Sequence, residues 1–174
     1  NTFTPTPADT ATVTWTPTAT GTPVPSGIPT SAYACYTGNG ADNRLIYLGF
    51  QPDAVYVLRL ELGPVDPHFG AFRATEFGAG DRTCRASNST CNTFLTDQIQ
   101  ELNVDGFQVG TDPEVNAVGK SYCYWAWKGN DVHFAHGEYT GNGAGVRSIT
   151  TPFQPDAVIV ADITSGGNSF RRQV

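Results

Sequence analysis

From residue 31 onward the chain runs in short apolar stretches, each broken off by Gly, Pro, Asn or Asp. Stretches at 33–37, 44–48, 54–62, 68–75, 105–109, 121–128, 132–139, 146–150 and 156–163 are rich in Val, Ile, Tyr, Phe and Trp, and short for helices. Many short strands with turn residues between them predict an all-β chain folded as a jelly-roll-like β-sandwich. Only Asp97-Gln-Ile-Gln-Glu-Leu102 reads as one or two turns of helix.

Residues 1–30 follow another pattern. Thr and Pro dominate and Asp9 is the sole charge, the composition of an extended stalk with polyproline II character. Within it Thr10-Ala-Thr-Val-Thr-Trp-Thr16 alternates strictly, with Ala11, Val13 and Trp15 on one face and threonines on the other. That is the period of a half-buried strand, and Pro5, Pro7 and Pro17 flank it without interrupting it. A linker has no use for such a face, so residues 10–16 are read as a donor strand lacking a sheet. The expected organisation is an extended segment, 1–30, followed by a sandwich over 31–174. The sandwich comprises one full repeat, 33–135, and a partial second, 136–174.

The repeat is explicit. Tyr36-Thr-Gly-Asn-Gly40 recurs as Tyr139-Thr-Gly-Asn-Gly143, and Phe50-Gln-Pro-Asp-Ala-Val55 recurs as Phe153-Gln-Pro-Asp-Ala-Val158. Arg44 and Ile46 match Arg147 and Ile149 at the same offset of 103 positions (139 − 36). Gly-Asn-Gly supplies the positive φ angles of a tight hairpin, and Pro-Asp presets a turn before a buried strand. The second copy is cut short. A partial unit cannot bury its own face, so its strands are expected to pair with the first unit.

The ordered motifs are Tyr36–Gly40, Gly49–Asp53, Asp105-Gly-Phe-Gln-Val-Gly-Thr-Asp112, Asn116, Gly119 and the aromatic run Tyr122–Trp127. In order and spacing this series resembles a tandem β-repeat of phage-tail-associated and secreted bacterial surface proteins. The resemblance covers roughly residues 33–160. It implies a β-rich extracellular or virion-surface role with no catalytic residues to carry over. Two departures stand out: Gly49 becomes Pro152 in the second copy, and the Thr/Pro segment lies outside the repeat.

Composition narrows the function classes. Charged residues make up 15% of the chain and the net charge is −6, with Lys120 and Lys128 isolated, so a phosphate-binding face for nucleic acid is not expected. No apolar run reaches the length of a membrane helix. A Thr/Pro tract without an initiator Met reads equally as a processed product or a trimmed chain. The four cysteines form no metal-type spacing. Of three possible connectivities, Cys84–Cys91 around a short polar loop and Cys35–Cys123 between aromatic strands are favoured. Two bridges place the protein in an oxidising compartment, secreted to the extracellular space or cell surface. Asn88-Ser-Thr90 is a candidate N-glycosylation site.

Candidate chemistry is thin, and an enzyme is not expected. His133 and His136, three apart in a strand-like run, would point to opposite faces, a poor metal pair; His68 stands elsewhere. Glu61, Glu76, Glu101, Glu114 and Glu138 are scattered and show no paired spacing. Thr111–Asn116 has oxygens suited to Ca²⁺ without the ordered spacing of a calcium loop, so neither metal nor cofactor is predicted. Trp125, Trp127, Tyr122 and Tyr124, with Tyr33 and Tyr36, are the candidate ligand-facing aromatics. In a strand Cys123, Trp125 and Trp127 share one face and Tyr122, Tyr124 and Ala126 the other. The cysteine on the Trp face favours burial of that side. Two functions follow. One is a subunit that polymerises head-to-tail with copies of itself into a pilus-like filament, residues 10–16 completing a neighbour's sheet. The other is a phage-tail or cell-surface module that binds carbohydrate from a Thr/Pro stalk.

Overall fold

The structure is a computed structural model, and it describes residues 31–61, 70–85, 94–129, 134–161 and 170–173. The donor-strand residues Ala11, Val13 and Trp15, together with Cys91, Asn88, His68 and His133, lie outside the described residues. Within them the chain is an all-β sandwich. Its strands are β1 (Ser31–Thr37), β2 (Arg44–Tyr47), β3 (Ala54–Arg59), β4 (Ala71–Ala74), β5 (Cys84–Arg85), β6 (Ile99–Asn103), β7 (Gly106–Val109) and β8 (Ser121–Trp127). A single helical turn, α1 (Pro113–Asn116), precedes β8; β9 (Val158–Ala161) and β10 (Phe170–Gln173) follow it.

One sheet has the order β1-β8-β3-β4-β5 and the other β2-β7-β6, all antiparallel. The nested pairing of β1 with β8 and β2 with β7 is that of a jelly roll. β4 and β5 extend the first sheet instead of crossing to the second. Inner-face residues of both sheets meet in one core: Val55, Val57, Ala71, Tyr122, Tyr124 and Ala126 from the first, Ile46, Ile99, Phe107 and Val109 from the second. Arg73 lies on the same face of β4 as Ala71 and is only 5% exposed. Its guanidinium donates to the carbonyls of Gly80 (2.7 Å), Arg82 (3.0 Å) and Ile99 (3.3 Å), tying the loop after β4 to β6. Burial pushes its pKa down.

Four expectations are corrected. Residues 97–102 hold no helix, because 99–103 is strand β6. A bulge at Gln100 shifts the register between Ile99 and Glu101, so Ile99 and Leu102, three apart, both reach the core. A spacing of three imitates a helix; the bulge produces it in a strand. Secondly, Gly38-Asn-Gly40 closes no hairpin, since it carries the chain from one sheet to the other. Thirdly, residues 134–139 are not a strand. Finally, among the described residues the partial second copy adds no strand to either sheet of the first: β9 pairs with β10.

Candidate ligand-binding face

The alternation of β8 decides which aromatics are available. Tyr122, Tyr124 and Ala126 point inward at 0%, 6% and 0% exposure. Tyr122 stacks on Tyr36 (centroids 5.3 Å), donates its hydroxyl to the Pro113 carbonyl (2.7 Å) and accepts from the Ala117 amide (2.8 Å). Tyr124 packs edge-on against Phe107 (5.2 Å). Both are core residues and not ligand-facing. The Trp side of the strand is the outer face, contrary to the inference from Cys123. That cysteine is buried by its own bridge: Cys35 lies directly opposite on β1, bonded to it with the Cα atoms 4.0 Å apart. A covalent neighbour covers the sulfur, so no third layer is needed there. Cys84 is also disulfide-bonded, its expected partner lying outside the described residues.

On this outer face Tyr33, Trp125 and Tyr56 stand side by side on β1, β8 and β3, because the register sets Tyr33 opposite Trp125 and Trp125 opposite Tyr56. The ring centroids are 5.1 and 5.9 Å apart, tilted by 41° and 50°. Tyr33, on the outermost described strand of the sheet, is 62% exposed, and the other two are half-buried. Farther across the sheet the face closes. Phe72, Phe77 and Phe94 form a chain of rings, and Phe134 stacks on Trp127 (5.5 Å, 12°). Trp127 is therefore lidded, and of the six aromatics named from sequence only Trp125 and Tyr33 belong to the open strip. Tyr56 was not among the candidates. The signal lay in its place on β3: it alternates with Val55 and Val57, which claim the core side.

His136 continues the Trp127–Phe134 stack, its ring 5.6 Å from that of Phe134. Its Nδ1 is hydrogen-bonded to the Glu76 carboxylate, and its Nε2 lies 3.8 Å from Asp53 Oδ2. Asp53 Oδ2 accepts the Gly129 amide (2.5 Å). The hydrogen bond to Glu76 raises the imidazole pKa against the opposing effect of burial. Burial pushes the Glu76 carboxyl up, but hydrogen bonds led by that from His136 hold it below its ordinary value. Thr75 donates its hydroxyl to the same Glu76 carboxylate (3.3 Å), and the His136–Glu76 contact fastens the segment after β8 to the turn after β4.

The side chains of Thr111, Asp112 and Asn116 are engaged within the protein. Asp112 caps α1 by accepting the Glu114 amide (2.8 Å), with Pro113 at the first helical position. Thr111 bonds the Asp97 carboxylate through its hydroxyl. Asn116 accepts from the Asn39 amide (3.0 Å) and Arg44 (3.1 Å), and donates to the carbonyls of Ala41 (2.8 Å) and Gly110 (2.9 Å). The loop is a clip between the sheets. Among the described residues no group of three or more His, Cys, Asp or Glu side chains could hold a metal ion, and no helix is long and apolar enough to cross a membrane.

No curated protein and no solved structure matches the chain. One family profile does, over residues 30–135, a stretch that holds both sheets, the clip and the aromatic strip. That stretch is more than half of the chain, which therefore belongs to the family described as a domain of unknown function, DUF7483.

Proposed function

We propose that the domain is an extracellular adhesion module that binds carbohydrate on the strip formed by Tyr33, Trp125 and Tyr56. The observation that carries the reading is a row of three rings across adjacent strands, open at its Tyr33 end. Aromatic rings offer rigid apolar area with a polar tip, the chemistry suited to stacking on a sugar ring while bonding its hydroxyls. The adjacent Cys35–Cys123 bridge fixes the two strands that carry Tyr33 and Trp125, which lowers the ordering cost of binding. A cross-strand disulfide also fits an oxidising, extracellular setting. A glycan array followed by calorimetry tests the proposal. Tyr33→Ala and Trp125→Ala are expected to weaken binding of any hit at least about tenfold, each worth about 1.4 kcal/mol or more. An array without hits, or a hit bound equally well by both variants, sinks it.

A second reading, the head-to-tail filament, is supported by sheet edges: among the described residues β1 pairs only with β8, and β2 only with β7. An incoming strand could extend either edge. Removing residues 1–30 is then expected to give a folded monomer by sedimentation and electron microscopy. Fibres that survive the deletion refute donation by residues 10–16.

A further inference from the structure

Arg73 stands at the floor of a cleft on the seam between the two sheets. One wall is the loop Gly78-Ala-Gly-Asp81 beyond β4, and the other is Gln100–Leu102 of β6, with Gln51 beside it. The cleft measures about 400 Å³, room for roughly a dozen waters at about 30 Å³ each and within the range of ligand sites. Its shape follows from the chain. Gly78 and Gly80 have φ of 77° and 91°, and a Cβ at either would meet no described atom within 4 Å. The loop therefore presents backbone and the Ala79 methyl where longer side chains would fill the space. In a regular strand Gln100 and Glu101 would point to opposite faces, and the bulge lets both line the cleft.

The two walls are complementary in hydrogen bonding. Among the described residues no acceptor takes the amides of Ala79 and Gly80, both exposed. Across the cleft Gln51 donates Nε2 to the Leu102 carbonyl (3.0 Å), which fixes its side chain, and no described donor reaches its Oε1. The exposed Glu101 carboxylate likewise takes no donor among the described residues. Charge selects against ions. The Arg73 guanidinium repels a cation, and the carboxylates of Asp81 and Glu101, near enough to support its charge, repel an anion. Its Nη groups already serve three carbonyls, so an anion would find no fork of free donors. A neutral ligand rich in hydroxyls, each able to donate and to accept, suits what remains.

We propose that this cleft binds a single neutral sugar unit, Glu101 and Gln51 Oε1 accepting from its hydroxyls and the amides of Ala79 and Gly80 donating to its oxygens. It is a second site, on the seam and not on the outer face of the first sheet, and it stands whether or not the aromatic strip binds.

The test records amide correlation spectra of the isotope-labelled 174-residue chain titrated with methyl glycosides of glucose, galactose and mannose, and with glucuronate and glucosamine. At millimolar sugar, saturable shifts are expected at Gly78–Asp81 and Gln100–Leu102 for at least one neutral glycoside. The charged sugars are expected to bind at least about tenfold more weakly. Glu101→Arg, at an exposed position, should weaken binding at least about tenfold with the unfolding midpoint unchanged, while Glu101→Gln, which keeps an acceptor, should stay within about threefold. No saturable shift at the cleft with any neutral glycoside, tighter binding of a charged sugar, or undiminished binding by Glu101→Arg would overturn the proposal. Shifts confined to Tyr33, Trp125 and Tyr56 would also overturn it while supporting the strip, so one titration tells the two sites apart.

Discussion

Asn116 and Gly38 hold the two sheets in register through one contact. The Asn116 side chain has no exposed surface, and its amide makes four hydrogen bonds reaching residues 39, 41, 44 and 110. Gly38 lets the backbone at Ala117 approach, and its own amide donates to the Lys120 carbonyl (2.7 Å). Replacing Asn116 by Ala strands buried partners, so a loss of about 2–4 kcal/mol is expected. The check is a lower urea midpoint at unchanged m-value. Gly38→Ala is expected to cost at least about 2 kcal/mol, since the obstruction is backbone and cannot swing aside. Both residues belong to motifs visible in the sequence. Their role was not, because the partners other than Gly110 lie 72 to 82 positions away (116 − 44 and 120 − 38) and only the fold brings them together.

Among the elements, the segment after β8 is held by titratable groups. His136 faces Glu76 on the turn after β4 and Asp53 before β3, with Phe134 stacked beside it and Thr75 bonded to Glu76 (3.3 Å). The imidazole has its folded pKa raised above 6.5, so its contribution to stability is full below about pH 6.5 and is lost as pH rises through the folded value. Glu76 has its folded pKa lowered below 4.5, so its contribution is present above that value and is lost as pH falls through the folded one. Denaturation midpoints taken across mildly acidic to alkaline pH should fall in the wild type on the alkaline side. In His136→Gln that phase should be absent, and its persistence would show that another group carries it. Neither partner was legible as such. A run read as a strand over 132–139 put His136 on a face, whereas an irregular segment places it against a turn.

At the scale of the whole molecule, the bridge between Cys35 and Cys123 closes a loop of 88 residues across β1 and β8. Cys35→Ser with Cys123→Ser is expected to remove about 2–5 kcal/mol. Calorimetry on this double variant beside the oxidised wild type measures it, and unchanged midpoints would assign the stability to the core alone. By loosening β1, which carries Tyr33, the same change should weaken binding of any glycan hit.

Fold class, the internal repeat and the Cys35–Cys123 pairing follow from the sequence by itself. Each rests on local information: short apolar runs between turn residues, identical words at a fixed offset, and cysteines set in strands of like pattern. Tertiary structure alone decided which face of β8 is core, that Ile99 and Leu102 share a face through a bulge, and that among the described residues the second copy adds no strand to either sheet of the first. Those outcomes depend on strand neighbours. An alternating strand offers two faces to any partner, and the side chain that meets water is fixed only when the adjacent strands and their register are in place.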